Sequence, residues 1–139
     1  MTQTKEILEF NPAATKTQKV ILLVDDDEDE HEIFLSALKN VKEDFTFISA
    51  VSCDHALRIL SSVVPDLIFL DVNMPRVNGI KCLEEVKKIK RLIKVPVYIY
   101  STGINSKEGQ KAIALGAADY IIKPSSINAL SSILKEIIN

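Results

Sequence analysis

The chain has 139 residues, 47% of them hydrophobic and 26% charged, with a formal net charge of −2. That is one domain by length, with enough apolar material for a real core, and its near-balanced charge excludes a global field toward nucleic acid or an acidic membrane. No apolar stretch approaches the ~20 residues of a spanning helix, and residues 1–19 lack the basic-then-apolar order of a signal peptide.

Residues 1–18 read as a polar N-terminal extension, with Pro12 against a long helix there, and residues 19–139 as the folded domain. The spacing predicts a first strand over 20–24, apolar throughout, as a strand buried on both faces should be. An acidic stretch, Asp25 to Glu32, then opens a helix, where carboxylates complement the dipole. Ile33, Phe34, Ala37, Leu38 and Val41 follow at helical spacing. A second strand is predicted over 45–51 and a second helix over 53–63, with Ala56, Leu57 and Leu60 inward. Pro65 ends it, and a third strand covers 66–70.

The loop from Asp71 to Gly79 is rich in turn formers. Helix three covers 80–89, with Ile80, Leu83 and Val86 inward. Strand four covers 97–100 after Pro96, and helix four covers 107–115 with Gly116 as its stop. Strand five is short, 120–122. Helix five covers 127–138, capped by Ser125 or Ser126, with Ile127, Leu130, Ile133, Leu134, Ile137 and Ile138 as its stripe. Strands alternating with helices predict an α/β fold, a five-stranded parallel sheet covered on both faces by right-handed crossovers. A doubly wound sheet of this size commonly has strand order 2-1-3-4-5, with ligands where strands one and three diverge.

Four of these strands end on polar residues: Asp25-Asp26, Asp71, Ser101 and Lys123-Pro124. On one sheet edge they would bring together three carboxylates, a hydroxyl and an ammonium. An Asp pair opening a helix is often only a cap, and a Lys-Pro after a strand is usually a turn. Their conjunction in order points to phosphate and metal. Packed carboxylates repel one another, and Mg²⁺ relieves this with one or two carboxylates plus phosphate oxygens. A transferred phosphoryl group needs mostly positioning and charge neutralisation, which Mg²⁺, Lys123 and Ser101 would share. Asp71, central in the sheet, is the natural attacking carboxylate.

The sequence resembles the receiver domain of bacterial two-component response regulators from about Lys19 to Ile138. The motifs are Val24-Asp25-Asp26-Asp27, Pro65-Asp66 through Asp71-Val72-Asn73-Met74-Pro75, Gly79, Pro96-Val97, Ser101-Thr102-Gly103, Gly116-Ala117 and Tyr120-Ile121-Ile122-Lys123-Pro124. The resemblance implies the flavodoxin-like doubly wound fold and a phosphorelay function. Asp71 would accept phosphate from a histidine kinase or histidine phosphotransfer protein. Asp26 would bind Mg²⁺ directly, Asp25 chiefly through water, and Asn73 through its backbone carbonyl, with Mn²⁺ as a substitute. Ser101 would shift to the acyl phosphate and Tyr120 would follow inward. That movement would remodel the surface of helix four, strand five and helix five, where a downstream protein or a second copy of the chain would dock. The resemblance implies a cytoplasmic, stand-alone receiver that catalyses only its own Mg²⁺-dependent phosphorylation and dephosphorylation, with output by protein contact and no nucleic-acid or membrane partner. Three positions depart from the usual pattern: Thr102 where Ala or Gly is common, Tyr100 where an aliphatic residue is usual, and Ser125 where Phe is frequent.

Three alternatives share the fold or part of the motif. An aspartate-nucleophile phosphatase would begin with a D-x-D, which Asp71-Val72-Asn73 loosely echoes, but at the end of its first strand rather than its third. A flavin module would need a Ser/Thr- and Gly-rich loop after strand one, where this chain has carboxylates. A scaffold binding without phosphorylation would not need the site residues. The basic cluster Lys87, Lys88, Lys90, Arg91 and Lys94 reads as a solvated face, with Glu84 and Lys88 as an i,i+4 pair. His31 and His55 read as ordinary exposed histidines. Cys53 and Cys82 read as two reduced, part-buried thiols, consistent with a cytoplasmic protein.

Overall fold

A computed structural model describes residues 8–9, 18–41 and 44–138, the first two through their backbone alone. The predicted extension, 1–18, lies outside the described residues apart from Leu8, Glu9 and Gln18. In chain order the elements are β1 (Leu8–Glu9), β2 (Lys19–Val24), α1 (Glu28–Val41), β3 (Phe45–Ala50), α2 (Cys53–Leu60), β4 (Leu67–Leu70), α3 (Gly79–Lys87), β5 (Val97–Ser101), α4 (Ser106–Ala114), β6 (Asp119–Ile122) and α5 (Ile127–Ile138).

The sheet runs β1-β3-β2-β4-β5-β6. From β3 to β6 every pairing is parallel, which is the predicted order 2-1-3-4-5. The addition is β1, which lies antiparallel on the β3 edge, Leu8 opposite Ile48 and Glu9 opposite Phe47.

The uninterrupted apolar strands have a direct structural cause. Along β2, Leu22 and Val24 face α2, α3 and α4, while Ile21 and Leu23 face α1 and α5. Both faces are covered, so both phases of the strand alternation are apolar. All four of those side chains are essentially inaccessible, and each contributes about 1.5–3 kcal/mol by leaving water. On the α1/α5 side, Phe34 packs against Phe47, Phe69 and Tyr100 at ring-centroid distances of 5.9, 4.9 and 5.5 Å.

The helices start where side chains satisfy their free N–H groups. Ser52 accepts from His55 N, and Asn78 from Lys81 N. Asn105 and Glu108 form a reciprocal capping box at α4, and Ser126, one of the two residues predicted to cap α5, accepts from Ala129 N. α2 ends at Leu60, short of the predicted 63, and α3 ends at Lys87, followed by a 3-10 turn at Lys90–Leu92. In α1, Phe34, Ala37 and Leu38 are buried as predicted, but Ile33 is exposed and His31 takes an inward position. Ile127 at the start of α5 is likewise exposed.

Two expectations are corrected. Cys53 and Cys82 are joined in a disulfide rather than left as thiols, with Cα atoms 5.7 Å apart. Both sulfurs lie in the core under the site loop because the first turns of α2 and α3 pack on the same sheet face. The bond removes the thiol argument for a reducing compartment. Lys88 pairs with Glu85 at 3.1 Å rather than with Glu84. In the basic cluster, Arg91 donates to Leu60 O at the end of α2, and Lys87 donates to Val95 O. Lys88, Lys90, Arg91 and Lys94 are exposed, as expected of a solvated face, while Lys87 is half-buried.

Candidate functional site

Strand register brings the predicted residues together. Val24 lies opposite Leu70 and Leu70 opposite Ile99, so Asp25 and Asp71 each leave the sheet at the same edge, with Ser101 beyond them. Ser101 lies opposite Ile122, so Lys123 follows at the far side. Asp25 N donates to Ala50 O and Asp71 N to Val24 O at 2.9 Å each, which extends the sheet pattern into the site.

Carboxylate oxygens of Asp25, Asp26 and Asp71 lie within 4.8 Å of one another; Asp25 and Asp71 are buried and Asp26 is exposed. Lys123 Nζ is 2.8 Å from Asp25 Oδ2, 3.7 Å from Asp71 Oδ2 and 3.9 Å from Glu30 Oε1. It also stands 5.3 Å from the centre of the Tyr100 ring, a cation–π contact. Asp25 Oδ1 accepts from Asp27 N, and Asp71 Oδ1 accepts from Asn73 N. Ser101 Oγ is buried and accepts from Asn73 Nδ2 at 3.0 Å.

Burial pushes the Asp25 carboxyl up to about 6, against the opposing pull of Lys123 and the Asp27 N–H. Burial works against the Lys123 ammonium, yet Asp25, Asp71 and Glu30 together outweigh it and hold its pKa above the ordinary lysine value. Burial also raises the Tyr100 phenol, and three nearby carboxylates reinforce that direction.

The donor set fits a hard divalent cation: three carboxylates, one reaching solvent, and neither sulfur nor imidazole among them. Lys123 alone leaves part of the burial cost of an ionised Asp25 unrelieved, as its raised pKa records, so in the charged form the carboxylate has room for a further cation. The loop over the site is fixed by close approach. Gly79 N donates to Val72 O, and a Cβ on Gly79 would collide with the Asp71 backbone carbonyl. Arg76 in the same loop takes a left-handed backbone at φ 70°, which for a residue with a side chain stores strain.

Asp25, Asp26, Asp71, Ser101 and Lys123 are therefore gathered as predicted. The Asn73 side chain bond to Ser101 was not predicted, because the sequence does not show which way an Asn side chain turns. Tyr120, at β6, is half-buried, its ring lying against Gly109 of α4. Of the departing positions, Thr102 and Ser125 are exposed and Tyr100 is buried. Both histidines correct the expectation of exposed side chains. His55 is half-buried, its Nδ1 accepting from Val51 N. His31 is buried, its Nε2 lying 2.6 Å from Asp25 O, and burial lowers its pKa.

Residues 21–135 match the family model of the response regulator receiver domain. The probable C4-dicarboxylate response regulator DctR of Bacillus subtilis is 29% identical over 116 residues, covering 84% of this chain and 50% of that protein. The phosphorylated cyanobacterial phytochrome response regulator RcpA superposes with a TM-score of 0.78 at 29% identity, covering 87% of this chain and 91% of its own. The Mn²⁺-bound response regulator Rcp1 superposes with a TM-score of 0.74 at 28% identity, covering 86% and 91%. The chain belongs to the response regulator receiver domain family, and its function is phosphorelay signal transduction. Receiver domains are in general signalling domains rather than enzymes, phosphorylated by histidine kinases or phosphotransfer proteins. The chain spans half or less of the length of the curated relatives it matches. Among the described residues no helix is long and apolar enough to cross a membrane.

Proposed function

We propose that Asp71 receives the phosphoryl group from a histidine kinase or histidine phosphotransfer protein, with Mg²⁺ as the resident cation and Mn²⁺ able to replace it. The observation that carries this reading is the buried Asp71 carboxylate, clustered with Asp25 and Asp26 and 3.7 Å from the Lys123 ammonium. Residues 19–139 would be the receiver and 1–18 its extension.

An ionised Asp71 oxygen attacks phosphorus, and the phosphorus–nitrogen bond to the donor imidazole breaks. The imidazole leaves with the bonding pair and takes its proton from solvent. A carboxylate nucleophile needs no general base. Asp26 would hold the cation directly, Asp25 chiefly through water, and Asn73 through its backbone carbonyl. When bound, the cation supplies neutralisation of charge between these carboxylates and the phosphoryl oxygens. Lys123 offers its ammonium to another phosphoryl oxygen, and Ser101 its hydroxyl to a third. Hydrolysis of the acyl phosphate at the same site would end the signal.

Ser101 leaves its Asn73 partner to reach the phosphoryl group, and Tyr120 follows it inward. The surface read out is α4, β6 and α5, where Ile113, Ile122 and Ile127 stand exposed. A downstream protein or a second copy of this chain would dock there, in the cytoplasm, with no nucleic acid or membrane required. The test is labelling with a small acyl phosphate donor. Incorporation that is acid-stable, base-labile and absent from Asp71→Asn supports the assignment; undiminished labelling of that variant overturns it.

A further inference from the structure

We infer that His31 is a positioning residue for the cation site, acting through the Asp25 carbonyl to aim the Asp26 carboxylate. This rests on the reading of Asp25, Asp26 and Asp71 as the cation's ligands.

The Asp25 peptide is held on both sides. Its N–H donates to Ala50 O at the end of β3, and its carbonyl oxygen lies 2.6 Å from His31 Nε2. The bond requires the proton on Nε2, since a carbonyl can only accept. That tautomer leaves Nδ1 as a bare acceptor, and Nδ1 is buried with no hydrogen-bond partner among the described residues. A buried polar atom without a partner is costly. An apolar side chain would avoid that cost, and the other inward residues of α1, Phe34, Ala37 and Leu38, are apolar. The Nε2 bond is what the imidazole offers that they do not.

The consequence falls on Asp26. The Asp25 carboxylate has its own anchors in Lys123 and the Asp27 N–H. Asp26 makes no side-chain hydrogen bond or ion pair among the described residues, yet its carboxylate lies within 4.8 Å of the Asp25 and Asp71 oxygens. No side-chain partner among the described residues holds it, so the backbone alone fixes where this side chain starts, and the peptide plane leading into it is the one whose carbonyl His31 holds. α1 is packed on the sheet through Phe34, Ala37 and Leu38, so His31 ties that plane to the core. Groups one step behind metal ligands act in this way on affinity.

The test is Mg²⁺ titration of the full chain by calorimetry, beside melting temperatures without metal. His31→Phe fills the space without a donor, His31→Leu replaces it should the ring overpack, and His31→Gln restores an N–H donor. The expected result is a roughly tenfold loss of Mg²⁺ affinity in the apolar variant, as outer-shell changes typically give, with affinity recovered toward the parent in His31→Gln. Parent-like affinity in the apolar variants overturns the inference, as does an equal loss in His31→Gln, since the donor would then be irrelevant. A parent chain that binds no Mg²⁺ overturns the cation-site reading itself.

Discussion

Lys123 donates to Asp25 at 2.8 Å, and stands almost an ångström farther from Asp71. The ammonium's closest tie is thus to a residue of the proposed cation site rather than to the proposed nucleophile. It also crosses the ends of β4 and β5 to get there, which anchors the edge strand's terminus to the centre of the sheet. A phosphoryl group on Asp71, with a cation held by Asp26 and reaching Asp25 through water, would draw on both of these carboxylates.

Removing the ammonium should therefore separate chemistry from folding. Lys123→Ala leaves Asp25 and Asp71 without their cation but gives them room for water. We expect phosphorylation or the conformational response to fall at least tenfold, while the Mg²⁺-loaded fold persists. NMR shifts on α4, β6 and α5 after phosphodonor addition provide the measurement. A full response in the variant would remove Lys123 from the switch.

Asp25 makes the metal-free protein pH-sensitive in a defined direction. Its folded pKa is about 6, above the ordinary value of 3.8, so the folded state holds this proton more tightly than the unfolded chain does. The resulting stability is fully present below about pH 3.8 and is lost as pH rises through about 6. In chelator, the melting temperature of Asp25→Asn relative to the parent should rise between those limits and level off above them. Mg²⁺ should reverse the ranking at neutral pH, because it stabilises only a chain that can bind it. A relative melting temperature independent of pH would contradict the burial argument.

Gly109 lies inside α4, where glycine costs roughly 0.5–1 kcal/mol relative to alanine. Its compensation is the Tyr120 ring, which comes so close that a Cβ would meet three ring atoms. Gly109→Ala should accordingly destabilise the parent chain. In Tyr120→Ala the same change should instead stabilise, by about the propensity difference. Urea unfolding of all four members of this cycle gives the coupling. A stabilising Gly109→Ala in both backgrounds would mean that the ring moves aside freely, and that α4 does not sense Tyr120.

The disulfide closes a separation of 29 residues, and a loop of that size constrains the unfolded chain by about 3–4 kcal/mol on a chain-entropy account. Cys53→Ser should lose stability in that range, and reductant should lower the parent's melting temperature but not the variant's. Alkylation without reductant, read by mass spectrometry, tests the bond itself: two accessible thiols in the unfolded, unreduced chain would mean it is absent.

Much of the site was legible in the chain because each residue lies at a strand end, and strand ends are visible as the points where apolar runs stop. Asp71 and Ser101 needed only the parallel order to meet. Lys123 and Asp25, 98 residues apart, needed that order and a long side chain. The same local reasoning fails for His31. Helical spacing 31, 34, 38 does place it inward, but a polar residue in an acidic turn reads as solvated until its carbonyl partner is seen. It fails for the cysteines too, since nothing along the chain says that the first turns of α2 and α3 are neighbours.

By itself the sequence determined the alternation of strands and helices, the parallel order and the chemistry collected on one sheet edge, because strand and helix periodicity and chain connectivity are written locally. The tertiary structure alone decided that Cys53 bonds Cys82, that Asn73 holds Ser101, that His31 grips the Asp25 carbonyl, that Tyr120 rests on Gly109 and that β1 covers the β3 edge. Those are contacts between separately encoded elements, set by the angles and depths at which packed helices and loops meet the sheet, and no periodicity along the chain carries that information.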